Sequence, residues 1–367
     1  MKVAILEYIC GSGVFRDCIP EGTNTLLSAL LGEGYAMLSA LTNDMIDSGV
    51  DVYSPIEPTI AAWPRWRNWT KSQWTWSPIS HDPQRSIDDV ATRWIESVGG
   101  CDAAIVIAPE LDGILPHIIA RLREAGVSVL ASDEPFLNTA CDQWKTCEAW
   151  RLSGVRHPET YLLEEFLRSP SDASECEGWV VKRRDSAGCV GLQRFVNSEV
   201  LLSEVARQDE FRASIDRWVV QPWISGIAAS LALLCGEENR ILGAVEQRFE
   251  SLDEEDPSEW GYCGGAGPVS GVNSQALERF AREVLRAIPG KPQGWIGIDF
   301  IIEPDGQWCA VEINPRLTTS YLGYRQWYGP RLAGCWARSS DLDPANSPRI
   351  DFQEFPRVCF SVESFEG

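Results

Sequence analysis

Short apolar runs alternate with longer stretches of helical spacing through the first third of the chain. A strand over 3–6 leads into a Gly-rich turn, Cys10-Gly11-Ser12-Gly13, and an apolar helical stretch around 26–48 stops at Gly49. A strand at 50–53, a polar helix near 87–98, a strand at 103–108, a helix near 115–125 ending at Gly126 and a strand at 127–130 complete this block. Strands alternating with helices imply a parallel, doubly wound sheet. Its ligand crevice lies at the carboxyl ends of the strands, which here means Glu7 to Gly13 and the run Pro109-Glu110-Leu111-Asp112-Gly113. Gly11-Ser12-Gly13 lacks the third glycine of a dinucleotide fingerprint. Its readings are backbone approach to a small substrate, a phosphate cradle, or a plain tight turn.

After Ser132-Asp133-Glu134-Pro135 the spacing is helical over 136–152, carries Lys145, and stops at Gly154. A strand at 161–163 precedes another at 179–184, where Lys182 stands before a loop of small residues, Asp185 to Gly191, containing Ser186 and Gly188. A Lys so placed reaches phosphate oxygens, with loop N–H groups as further donors. A solvated strand end is the competing reading. A strand from Trp218 then runs into the hinge Gln221-Pro222-Trp223-Ile224-Ser225-Gly226, whose backbone groups and apolar side chains suit an adenine.

The last block holds two apolar stretches, 297–302 and 311–314, separated by Asp305-Gly306, a strong hairpin turn signal. Period two places Glu312 and Asn314 on one face of the second strand, with Asp299 able to face them from the first. Two carboxylates and an amide oxygen suit Mg²⁺, or Mn²⁺ in its place, with substrate phosphates completing the shell. The bland alternative is a solvated strand face. Ahead of this hairpin, the glycine-rich run 262–268, with Gly265 at its centre, reads as a lid or substrate loop.

At 367 residues, 44% hydrophobic and 23% charged, the chain is an ordinary globular protein of two or three domains. The boundaries read as 1–133, 134–224 and 225–367. A net charge of -21 disfavours extended contact with nucleic acid or an anionic membrane, and no run of 18 apolar residues occurs. The opening strand is too short for a signal segment, so a cytoplasmic location is expected. The 12 cysteines, with no Cys-x-x-Cys pair and only 3 histidines, read as reduced, mostly buried thiols rather than zinc ligands. Trp63, Trp66, Trp69, Trp74 and Trp76 lie in a polar stretch, which leaves open a lid over a pocket and a face packed on a partner subunit.

The order of these elements resembles the ATP-grasp family: a helical Lys145, Lys182 on a strand before a small-residue loop, the hinge ending at Gly226, then Asp299 and Glu312-Ile313-Asn314-Pro315-Arg316. The resemblance runs from about 132 to about 324, and the first block looks like the family's preceding domain. It implies an ATP-grasp fold, α/β with α+β character in the ATP-binding part, behind an N-terminal Rossmann-like domain. It further implies that Lys145, Lys182, Ser186 and Gly188 meet ATP phosphates and that Gln221, Trp223 and Ile224 meet adenine. Asp299, Glu312 and Asn314 become the Mg²⁺ ligands. Lys182 and Arg316 become the catalytic cations, with Arg248 and Arg184 as alternatives to Arg316. The family's ribose-binding Glu after the hinge has no counterpart in Gly226-Ile227-Ala228-Ala229-Ser230.

Such ligases phosphorylate a carboxylate, and an amine then attacks the acyl phosphate. A finer likeness, to the tyramine–glutamate ligase branch that serves methanofuran-type coenzymes, rests on Glu7-Tyr8 with Gly11-Ser12-Gly13, on Ala108-Pro109-Glu110 and on Leu317-Thr318-Thr319-Ser320-Tyr321. It implies glutamate as donor and tyramine, tyrosine or a similar amine as acceptor. Glu7, Ser12, Gly13, Glu110, Gly265, Thr318, Thr319 and Ser320 are then the substrate candidates. Alternatives are another amino-acid or peptide acceptor, and a nucleotide-binding regulator without catalysis. The family is often dimeric, so a homodimer is one expectation.

Overall fold

The computed structural model describes residues 1–13, 25–62, 73–80, 82, 84–169, 176–185, 191–251, 260–338 and 352–361. Three sheets organise them. The first contains β1 (Lys2–Glu7), β2 (Asp51–Ile56), β3 (Trp74–Pro78) and β4 (Ala103–Ile107) in the order β3-β2-β1-β4, every pair parallel. β4 is buried along its whole length, and β1 at all but its first residue, as expected of a parallel sheet covered on both faces. Helix Ile87–Ser97 opens with a capping box between Ser86 and Asp89.

The small second sheet has the antiparallel order β5-β8-β6-β7, from β5 (Tyr161–Leu162), β6 (Trp179–Arg183), β7 (Gln193–Phe195) and β8 (Trp218–Pro222). Trp179, Val181, Phe195 and Val220 pack with Leu201, Val205 and Phe211 on one face. Its other face carries Lys182. The third sheet, antiparallel in the order β13-β12-β9-β10-β11-β14, contains β9 (Ile227–Cys235), β10 (Arg240–Ser251), β11 (Trp260–Gly267), β12 (Gly294–Ile302), β13 (Trp308–Asn314) and β14 (Val358–Phe360). Helix Ser274–Arg286, capped by Asn273, buries Leu277, Ala281, Val284 and Leu285 along one stripe, and these pack with Ile296, Ile298 and Phe300 of β12.

Several sequence expectations are corrected. The helix expected over 136–152 is two, Glu134–Ala140 and Gln143–Ser153, because the Asp142 carboxylate accepts from Trp144 N and Lys145 N and starts a new helix. The strand expected at 127–130 amounts to one parallel bridge, Ala104 to Val129. The turn after β1 is a one-turn helix, Tyr8–Gly11, capped by Glu7, with Gly13 beyond it at φ +74°. The run at 262–268 is no lid loop: most of it is β11, between β10 and β14. A Cβ on Gly265 would stand 2.4 Å from Glu246 O and 2.7 Å from the Phe360 ring, so its glycine serves sheet packing. Of the Trp-rich stretch, Trp74 and Trp76 lie on edge strand β3, whereas 63–72 lie outside the described residues. Cys10, Cys141, Cys147, Cys235 and Cys309 are buried thiols. Among the described residues no helix is long and apolar enough to cross a membrane.

Candidate functional site

β12 and β13 form the hairpin around Asp305-Gly306, with Gln307 N donating to Asp305 Oδ1 at 2.9 Å and Gly306 at φ +83°. Its register sets Asp299 opposite Glu312 and Gly297 opposite Asn314. Asn314 Nδ2 donates to Asp299 Oδ2 at 3.1 Å. Burial pushes the Asp299 carboxyl up, against the opposing pull of Ser230, Gln247 and Asn314. Burial likewise pushes Glu312 up to about 7, with Lys182 lowering it and Asp299 raising it.

Asp299 Oδ1 is buried with no hydrogen-bond partner among the described residues. Such an atom is costly unless a ligand satisfies it. Among the described residues no three His, Cys, Asp or Glu side chains converge as a metal cluster by themselves. Two carboxylates and an amide fit a hard cation that takes the rest of its shell from phosphates and water. The donor set therefore fits Mg²⁺.

Lys182 crosses from β6 to this hairpin, its Nζ 3.7 Å from Glu312 Oε2 and its side chain 4% exposed. Lys145, on the helix that Asp142 caps, is about half exposed, with Nζ 3.3 Å from Asn138 O and 3.8 Å from Asp142 Oδ2. Arg184 closes on the same Asp142 carboxylate at 2.7 and 3.2 Å, which binds β6 to that helix. A cavity of about 360 Å³ opens here, lined by Glu110, Asp142, Lys145, Arg184 and Arg217 among others, within the range of small-ligand sites. At the hinge, Gln221 is buried, donating to Thr160 Oγ1 at 2.8 Å, and Trp223 N donates to Gly178 O at 2.8 Å. Ile224 follows, half-buried. Ser186 and Gly188 lie outside the described residues.

Arg316 stands where the sheets meet. Its Nη2 donates to Glu110 Oε2 at 2.9 Å, and Nε lies 2.9 Å from Oε1 without hydrogen-bond alignment, so the residue after the metal motif grips the carboxyl end of β4. Arg248 is exposed. Arg316 also lowers the carboxyls of Glu7, Glu33, Asp299 and Glu312.

Glu7 is buried, accepts from Ile9 N at 3.2 Å and Cys10 N at 2.6 Å, and is pushed by burial up to about 7. Ser12 is buried, and its carbonyl accepts from Arg85 Nη1 at 2.5 Å. Thr318 joins Ser320 at 2.7 Å and accepts from Trp295 Nε1 at 3.1 Å, while Thr319 Oγ1 donates to Glu33 Oε2 at 3.2 Å. Gly265 lies in β11, in the packing position described above.

Sequence reasoning missed Glu33, which burial raises to about 7 against Arg316 and Thr319. The available signal was its being the single charge between Thr25 and Asn43 in an apolar helix. A second missed group joins the small sheet to the first domain. Asp112, at φ +53°, pairs with Arg217 at 2.6 Å and Arg183 at 3.1 Å, and its N–H donates to Asp185 at 2.8 Å.

Comparison with known families and folds agrees with this layout. The pre ATP-grasp 3 domain matches residues 66–135, and the ATP-grasp domain matches 140–320. No curated protein matches in sequence. In fold the chain is similar to an ATP-grasp superfamily protein from Archaeoglobus fulgidus, at TM-score 0.65 and 18% identity over 98% of this chain and 99% of that one. It is similar to the biotin carboxylase domain of a Hydrogenobacter thermophilus 2-oxoglutarate carboxylase, solved with MgADP, ADP and bicarbonate, at TM-score 0.61 and 14% identity over 91% and 69%. A D-alanine–D-alanine ligase from Bacillus anthracis matches at TM-score 0.58 and 14% identity over 93% and 97%.

Proposed function

Because this chain is an ATP-grasp protein, we propose that it is an ADP-forming ligase that activates a carboxylate with ATP and joins it to an amine. Glutamate is the donor in this reading, and tyramine, tyrosine or a similar amine is the acceptor. The observation that carries it is charge: Glu7, Glu33, Glu110, Asp299 and Glu312 surround two cations, Arg316 and Lys182. A buried excess of carboxylates draws in cations. A metal and a protonated amine are the two that this chemistry brings together.

In this reading Asp299, Glu312 and Asn314 hold Mg²⁺, which neutralises charge on the transferring phosphoryl group. Phosphoryl transfer asks the protein for positioning and electrostatics. Lys182 and Lys145 orient the phosphates, Gln221, Trp223 and Ile224 border the base, and Ser186 and Gly188 are assigned to the phosphates by resemblance. Arg316 orients the donor carboxylate from its anchor on Glu110. Glu7 and Glu33 hold the amine, with Thr318, Thr319, Ser320, Ser12 and Gly13 around the polar ends of the substrates.

The protein is incubated with ATP, Mg²⁺, glutamate and a panel of amines, and ADP, AMP and product mass are followed. ADP with a glutamyl amide of tyramine or tyrosine supports the reading. A dipeptide of glutamate with an amino acid other than tyrosine moves the acceptor to that amino acid, the acceptor class named by the D-alanine–D-alanine ligase fold relative. AMP formation overturns the acyl-phosphate route.

A further inference from the structure

Arg194, on β7, took no part in the sequence reading, yet the register of the small sheet sets it in the nucleotide cleft. Val180 on β6 pairs with Arg194 on one side and with Gln221 on the other, so the three form one row across the sheet. Paired residues share a face, and Lys182, two residues along β6, shares it as well. The opposite face is the closed apolar core of Trp179, Val181, Phe195 and Val220. Since Lys182 reaches Glu312, the face with Arg194 looks toward the metal strands.

Three observations give Arg194 a ligand-binding character. Its guanidinium lies 4.0 Å from the centroid of the Trp223 ring, a cation–π contact with a residue inside the hinge. Trp223 is itself fixed by its N–H to Gly178 O. Arg194 Nε is a buried donor with no acceptor among the described residues, and a buried donor left unpaired is costly. One pleat, about 7 Å, separates the Val180 row from the Lys182 row. That step leads away from the phosphate end toward the nucleoside.

We propose that Arg194, held over the Trp223 ring, donates to the ribose oxygens of ATP, the place left open by the absence of a carboxylate after the hinge. The inference rests on the proposed ATP-dependent reaction, so its test separates the two. ADP and 2′-deoxy-ADP binding with Mg²⁺ is measured by calorimetry, without donor or acceptor, for the wild-type protein, Arg194→Ala and Arg194→Lys.

The expected result is that Arg194→Ala weakens ADP at least about tenfold and removes the wild-type preference for ADP over 2′-deoxy-ADP. Arg194→Lys, a point charge without the planar fork, restores less than half of that loss. In turnover, KM for ATP rises while kcat stays within about twofold. Thermal unfolding of each variant without ligand identifies any general loss of structure. Unchanged ADP affinity in Arg194→Ala overturns the inference and leaves the ligase reading standing, as does a loss equal for ADP and 2′-deoxy-ADP. Failure of the wild-type protein to bind ADP overturns the ligase reading itself.

Discussion

Glu33→Gln isolates the charge at the proposed amine end of the site while keeping its shape. The Gln carbonyl still accepts from Thr319 Oγ1, so the bond at 3.2 Å survives and only the ionisation is removed. In the folded chain the Glu33 carboxyl is raised from 4.5 to about 7. At about 1.4 kcal/mol per pH unit, ionising it there costs about 3.5 kcal/mol. Glu33 is part-buried, and solvent screening brings the expected figure to about 1–2 kcal/mol.

The sign follows from linkage. Below 4.5 the carboxyl is protonated in both states and carries no penalty; as pH rises to about 7 the unfolded chain ionises first, and stability is lost. Above that the penalty is complete. Glu33→Gln therefore unfolds close to the wild-type temperature at about pH 5 and a few degrees above it at about pH 8.5, at about 2–4 °C per kcal/mol. The same variant raises KM for the amine and leaves ADP affinity unchanged. A stability gain equal at both pH values, or larger at the acid one, refutes the placement of a strained carboxylate at this position.

Three further outcomes test the rest of the site. Asp299→Asn removes a carboxylate that burial disfavours, so its ligand-free melting temperature rises while Mg²⁺-dependent ADP binding falls by about 100-fold or more; retained binding shows the metal to be misplaced. Asp112→Ala breaks part-exposed pairs with Arg183 and Arg217, each contributing about 0.5–1 kcal/mol, and hydrogen exchange of the β6 amides then quickens. Raising salt has a smaller effect on the variant than on the wild-type protein, and identical exchange removes the idea of a tie between the small sheet and the first domain. Asp44→Ala strips Arg325 and the Tyr321 hydroxyl of a carboxylate at 2.5–2.8 Å, at a cost of about 3 kcal/mol. Calorimetric unfolding that moves by less than 1 °C contradicts that tie between the first domain and the helix Tyr321–Tyr328.

The β12–β13 hairpin was legible because everything it needs is local. Asp305-Gly306 fixes the turn, the turn fixes the register, and period two then aims Asp299, Glu312 and Asn314 at one another. Elements failed where a local rule was overruled by a neighbour. Glycines in a strand usually mark weakness, so 262–268 read as a loop; in the fold β10 and β14 press so closely on β11 that small residues are what the pairing accepts. Helical spacing over 136–152 places Asp142 inside a helix, although its side chain is the cap that splits it.

The contacts of Glu33 and Glu110 were hidden for a different reason. Glu33 meets Thr319, and Glu110 meets Arg316, across 286 and 206 residues of sequence. No period or spacing relates positions on different layers. What the sequence did carry was chemical type: a lone charge in an apolar helix and an Arg two residues after Asn314 must each find a partner or remain costly. Arg194 belongs to the same class, since its donor is buried without an acceptor among the described residues. Ligand sites in this fold are thus foreshadowed by polar groups whose partners the local sequence does not contain, and the ligand completes the accounting that the protein leaves open.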